Sequence, residues 1–164
     1  MLKRLCFAAP VALLLLLTTT QTTAFAVLPI HPNPAYSQRN ASYVSLADAI
    51  ANRARVQAES MSSVGFCYRG VKRALNRVGV CLNGSAAYLA KSQLCKDPRF
   101  CMVPLKGLRK GDILVHGRSR AHPYGHIAVY LGDNLEASDH VQKLVLGGRY
   151  GATCVFRPHG KIEP

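Results

Sequence analysis

Gly125-His126-Ile127-Ala128-Val129-Tyr130-Leu131-Gly132-Asp133-Asn134-Leu135-Glu136-Ala137-Ser138 is the stretch on which the fold turns. An apolar, β-rich run from His126 to Leu131 meets a Gly-Asp-Asn hairpin signal at 132–134, and Leu135 to Ser138 returns as a second strand. Residues 112–116, 141–146 and 153–157 are further short expected strands. Upstream the period changes. Leu46, Ile50, Ala54 and Ala58 recur at roughly helical spacing over residues 45–61, and Ser45 with Asp48 three later resembles an N-terminal capping arrangement. Ser62-Ser63-Val64-Gly65 breaks that helix; Cys67, Val71, Leu75 and Val78 then mark one face of a second, which Gly79 ends. A third helix is expected over residues 85–94, after the turn-forming Asn83-Gly84, with Ser85 at its cap. Helices followed by strands predict an α+β fold, N-terminal helices packed on an antiparallel sheet.

The chain of 164 residues is about one domain long, and its 49% hydrophobic content is that of a globular protein. Residues 1–26 read as a signal peptide. Lys3 and Arg4 begin it, an apolar run from Leu5 to Leu17 follows, and Ala24-Phe25-Ala26 supplies small residues for cleavage. The run is shorter than the roughly 20 apolar residues a bilayer demands and contains Pro10, so no stable membrane span is expected once it is removed. Residues 27–44, rich in Pro, Asn and Ser, form an N-terminal arm, and residues 45–164 form the domain. A secreted or periplasmic location follows.

Lys+Arg 21 against Asp+Glu 8 leaves a net charge of +13, of which the leader holds two. Such an excess calls for an anionic partner or surface. The basic residues are spread along the chain, without zinc-finger spacing, an RNA-binding aromatic motif or a long basic run, so nucleic acid is not the expected partner. Anionic polymers of the cell envelope fit an exported domain better.

With Cys6 in the leader, Cys67, Cys81, Cys95, Cys101 and Cys154 remain, an odd number for an oxidising compartment. Four cysteines allow three pairings; Cys95 with Cys101 and Cys81 with Cys154 is the expected set, leaving Cys67 free. Cys67 also opens a helix, where unsatisfied N–H groups and the dipole favour a thiolate, two residues after a glycine that permits a sharp turn. A cysteine nucleophile needs a base, and His126, at the rigid start of a strand, is the candidate. A third group must orient the imidazole. Glu136, on the hairpin partner of that strand, is preferred, with Asp139 and His140 as alternatives.

Gly65-Phe66-Cys67-Tyr68 opening a helix, Lys110-Gly111-Asp112-Ile113-Leu114 as a strand, and Gly125 to Asp133 as another, in this order, resemble the papain-like cell-wall hydrolases of the NlpC-like and CHAP (cysteine, histidine-dependent amidohydrolase/peptidase) groups. The resemblance spans residues 62–156. It implies a small α+β papain-like fold and cleavage of amide or peptide bonds in peptidoglycan, as an amidase or endopeptidase. Cys67 matches the nucleophile, His126 the base and Glu136 the third polar position, a carboxylate that is more CHAP-like than NlpC-like. The chain departs from the NlpC-like pattern in carrying Phe66-Cys67-Tyr68 where Asp-Cys-Ser is usual. The chemistry implied is an acyl-enzyme needing no metal or other cofactor, with the Cys67 N–H and a second donor, for which Tyr43 is a candidate, facing the oxyanion. An immunity protein is implied if the target is a competitor's wall.

Two rivals remain open. His116, His122, His126 and His140 invite a metal site, but Pro123 and Gly125 oppose the helix that would align His122 with His126. A non-catalytic, disulfide-stapled cationic envelope-binding or inhibitor protein accounts for export, charge and cysteines, yet assigns nothing to Cys67 or the Gly-His strand.

Overall fold

The computed structural model describes residues 43–163; the expected signal peptide and almost all of the arm lie outside the described residues. The domain has the expected α+β, papain-like architecture of N-terminal helices on an antiparallel sheet. A short strand β1 (Val44–Ser45) leads into α1 (Leu46–Met61) and then α2 (Cys67–Asn76). A 3-10 turn at Ala87–Leu89 precedes the five-residue α3 (Ala90–Leu94). Seven strands follow: β2 (Phe100–Val103), β3 (Ile113–His116), β4 (His126–Gly132), β5 (Leu135–Ala137), β6 (Val141–Lys143), β7 (Thr153–Pro158) and β8 (Lys161–Ile162).

The main sheet runs β2-β7-β3-β4-β5-β6, antiparallel throughout, while β1 pairs with β8. Alternation along the central strands sends Ile113, Val115, Ile127 and Val129 into one core with Leu46, Ile50 and Ala54 of α1 and Val71 and Leu75 of α2. Buried apolar side chains of this size contribute roughly 1.5–3 kcal/mol each, so the α1–α2 layer is held by packing. Ser45 caps α1 as expected: its Oγ accepts the Asp48 N–H at 3.0 Å and donates to the Asp48 carboxylate at 2.6 Å.

Three expectations need correction. The third helix is split, and Ala86, not Ser85, precedes its first turn. Strands β1, β2 and β8 were not anticipated. The two expected disulfides are not formed, and all five cysteines of the described residues are free thiols. The loop between Cys95 and Cys101 is closed instead by Arg99, whose Nη2 and Nε donate to Asp97 at 2.6 and 2.9 Å. Cys101 faces the Arg157 carbonyl and Cys81 the Asn76 side chain.

Candidate active site

Cys67 is the first residue of α2, half-buried, on a helix that has no side-chain cap of its own. The cap comes from across the molecule, where the Phe66 N–H donates to the Asp139 carboxylate at 2.5 Å. Ser63 N–H donates to the Asp139 carbonyl at 3.1 Å, and the Ser63 carbonyl faces His140 Nδ1 at 3.0 Å. The loop before the cysteine is therefore held at three points, with Gly65 making its turn at φ 89°. Gly70, one turn into α2, allows the close approach this needs: a Cβ there would lie 2.1 Å from the Ser138 carbonyl oxygen.

His126 opens β4 and is 6% exposed. Gly125 before it has φ +67°, and a Cβ at that position would meet the His116 carbonyl oxygen at 2.4 Å, so glycine before this histidine is a steric requirement. The His126 Nε2 lies 3.2 Å from Glu136 Oε1, and both residues are buried. Glu136 has two further donors: Gln142 Nε2 at 2.7 Å, from the position opposite it in the β5–β6 register, and the Val145 N–H at 3.1 Å.

Electrostatics follow from these contacts. Burial works to lower the His126 pKa, but hydrogen bonds to Cys67 and Glu136, and then their charges, outweigh it and push the pKa up to about 9. Burial works to raise that of Glu136, and its bonds to His126, the Val145 N–H and Gln142 reverse the sign, so the carboxyl stays below its usual range. The structure thus brings Cys67, His126 and Glu136 together as the expected set. Asp139 and His140 occupy a different place: they hold the Cys67 loop and connect, through His140 Nε2 to Gln142 Oε1 at 2.9 Å, to the residue that bonds Glu136.

Sequence reasoning missed the surroundings of the imidazole. The Tyr150 ring stacks on His126, centroids 5.0 Å apart at 11°, and lies beside His116 and His122. His116, opposite His126 in the β3–β4 register, bonds Thr153 Oγ1 through Nδ1 at 2.9 Å, and among the described residues its Nε2 has no partner. Burial first, then the nearby His126 charge, lowers its pKa to about 4, so it stays neutral beside a protonated neighbour. A tyrosine between Arg149 and Gly151, ten residues beyond the last site candidate, gave no signal of this contact. Tyr43 is exposed and lines neither cavity at Cys67, so it is not placed to meet an oxyanion. Among the described residues no three metal-ligating side chains converge.

Two cavities meet at Cys67, of about 670 and 470 Å³. Both include Gly65 and Tyr124; the smaller contains His126, Asp139, His140 and Tyr150, and the larger runs along α2. The result is an open cleft with a sulfur at its centre and a buried imidazole–carboxylate pair on one side, an arrangement suited to nucleophilic attack on a carbonyl.

No protein-family model and no curated protein matches the sequence. Among solved structures, a chain of the type VI native effector-immunity complex Tae3-Tai3 from Ralstonia pickettii is similar, with TM-score 0.54 and 27% identity over 69% of this chain and 98% of that one. A chain of the selenomethionine form of that complex matches with TM-score 0.54 and 26% identity, over 65% and 97%.

Proposed function

We propose that this chain is an exported cysteine hydrolase that cleaves amide or peptide bonds of peptidoglycan, with Cys67 as nucleophile, His126 as base and acid, and Glu136 as the group that orients His126. The observation that carries the reading is the meeting of Cys67 with the buried His126–Glu136 pair in one cleft. The likeness to a type VI effector-immunity complex supports an effector that acts on cell wall in the periplasm and is matched by an immunity protein. The excess of basic residues suits an anionic polymer as substrate.

In the reaction, the Cys67 thiolate attacks the carbonyl carbon while His126 holds the proton. The oxyanion meets the free N–H groups of the first turn of α2. His126 then delivers its proton to the leaving nitrogen, the C–N bond breaks, and a thioester and a free amine result. Water, losing a proton to His126, attacks the thioester and releases a carboxylate and the thiol. Glu136 stays ionised and fixes the ring, as its lowered pKa favours.

Digestion of purified peptidoglycan by the wild type and by Cys67→Ala, with products identified by mass, tests this reading. Defined fragments from the wild type alone support it and name the bond. Sedimentation with the wall, without fragments from either protein, favours a cationic binding protein.

A further inference from the structure

We propose that the α2 arm of the cleft is a carboxylate-recognition subsite for the acyl half of the substrate, built from Arg69 and Arg73 with Lys72 beside them. The inference deepens the hydrolase reading and rests on it.

The two arms differ in what they can do. Proton delivery to the leaving nitrogen requires that nitrogen to lie near His126, and His126 lines only the smaller cavity. The amine half of the substrate therefore occupies that arm, and the half bearing the attacked carbonyl runs into the larger one. That larger arm is lined by Arg69, Lys72 and Arg73, and among the described residues its wall holds no acidic side chain. Among the described residues none of the three cations is in an ion pair.

The geometry of these side chains suits a carboxylate. The Arg69 guanidinium carbon sits 4.4 Å above the centroid of the Phe66 ring, immediately before the nucleophile. Stacking covers the face of the guanidinium and leaves its N–H edge free, the edge that forms paired hydrogen bonds with a carboxylate. Lys72 is steadied by donation to the Gly84 carbonyl at 3.1 Å and by its position 5.3 Å from the Tyr68 ring centroid. Two of its three N–H donors stay available. Three cations without counter-charge beside an apolar wall concentrate a positive potential next to the reacting sulfur. Of the amides in an anionic peptide mesh, the bond selected is one whose acyl-side residue carries a second, free carboxylate.

Digestion of peptidoglycan in heavy-oxygen water tests the assignment, because hydrolysis places the label in the new carboxylate and so marks the acyl half. The labelled terminal residue is expected to carry an additional free carboxylate; a labelled residue without one overturns the proposal. A second arm compares untreated peptidoglycan with the same polymer whose carboxylates are converted to carboxamides by carbodiimide and ammonia. Wild type is expected to prefer the untreated polymer by about tenfold or more in kcat/KM, the scale of one charged hydrogen bond. Arg69→Gln/Arg73→Gln brings that ratio near one, whereas Arg53→Gln/Lys96→Gln, with the same loss of charge away from the cleft, keeps it. A preference that survives in Arg69→Gln/Arg73→Gln, or that falls equally in both double variants, overturns the subsite. Failure of the hydrolase reading looks different: no labelled, Cys67-dependent product forms from either polymer, and both claims fall together.

Discussion

Two buried carboxylates in this molecule sit in opposite circumstances. Asp112, before β3, is gripped by Arg157 of β7 through Nη2 at 2.7 Å and Nε at 3.0 Å, with the Arg109 N–H at 2.8 Å. Glu136 in β5 is held by two neutral donors, Gln142 and the Val145 N–H, and by one imidazole. Arginine keeps its charge at any pH a protein meets, so the Asp112 pair is a fixed brace between strands. Histidine gains and loses its charge, so the Glu136 pair is fixed in position and variable in proton content. The molecule thus sets one carboxylate in a pair of fixed charge and the other in a pair whose proton can move.

Changes on the chemical side are expected to affect rate far more than stability. Cys67→Ala abolishes peptidoglycan cleavage while shifting the unfolding midpoint by about 1 kcal/mol or less, as scored by product mass and by denaturant titration. His126→Ala lowers kcat by roughly 10²–10⁴-fold. Glu136→Gln keeps the shape of the side chain and removes its charge, so turnover falls by about a hundredfold and the pH profile moves. The direction of that move is fixed by the pair. The His126 pKa is raised from 6.5 to about 9 by its partners, so its protonated form, and the stability it contributes, is whole below about 6.5 and lost as pH rises through about 9. The alkaline limb of kcat/KM is expected near 9 in the wild type and lower in Glu136→Gln. On the construction side the signs reverse. Arg157→Ala leaves a buried carboxylate with one backbone donor and lowers stability by about 2–4 kcal/mol, yet leaves the alkaline limb where it was. A profile that moved with Arg157→Ala, or failed to move with Glu136→Gln, would erase the distinction.

The sequence carried the parts of this account that depend on local pattern. The apolar, β-rich run from His126 to Leu131 and the left-handed Asp133 and Asn134 at the turn produced the β4–β5 hairpin. The helical spacing of Val71 and Leu75 placed Cys67 at a helix start. What was illegible depends on register and on distant partners. Strand β2 exposes Cys101 and Met102 and shows no alternation, because it is an edge strand whose place is set by pairing with β7. Gln142 became a partner of Glu136 only through the β5–β6 register, and His116 became a neighbour of His126 only through β3–β4. Asp139 as the cap of α2 joins residues 73 positions apart, which no local motif encodes. The cysteine count suggested disulfides because parity says nothing of distance, and the loop it pointed to is closed by an Asp97–Arg99 pair.

His126 is expected to make Cys67 a nucleophile, and the other free thiols supply the reference. Cys81, Cys95 and Cys101 are exposed, whereas Cys67 is half-buried. Alkylation by iodoacetamide at about pH 6, where an ordinary thiol is almost wholly protonated, followed by peptide mass mapping, compares all four in one tube. Cys67 is expected to react first despite its lower exposure, and His126→Ala to remove this lead. A Cys67 that reacts no faster than the three exposed thiols, or that keeps its lead without His126, contradicts that role of His126.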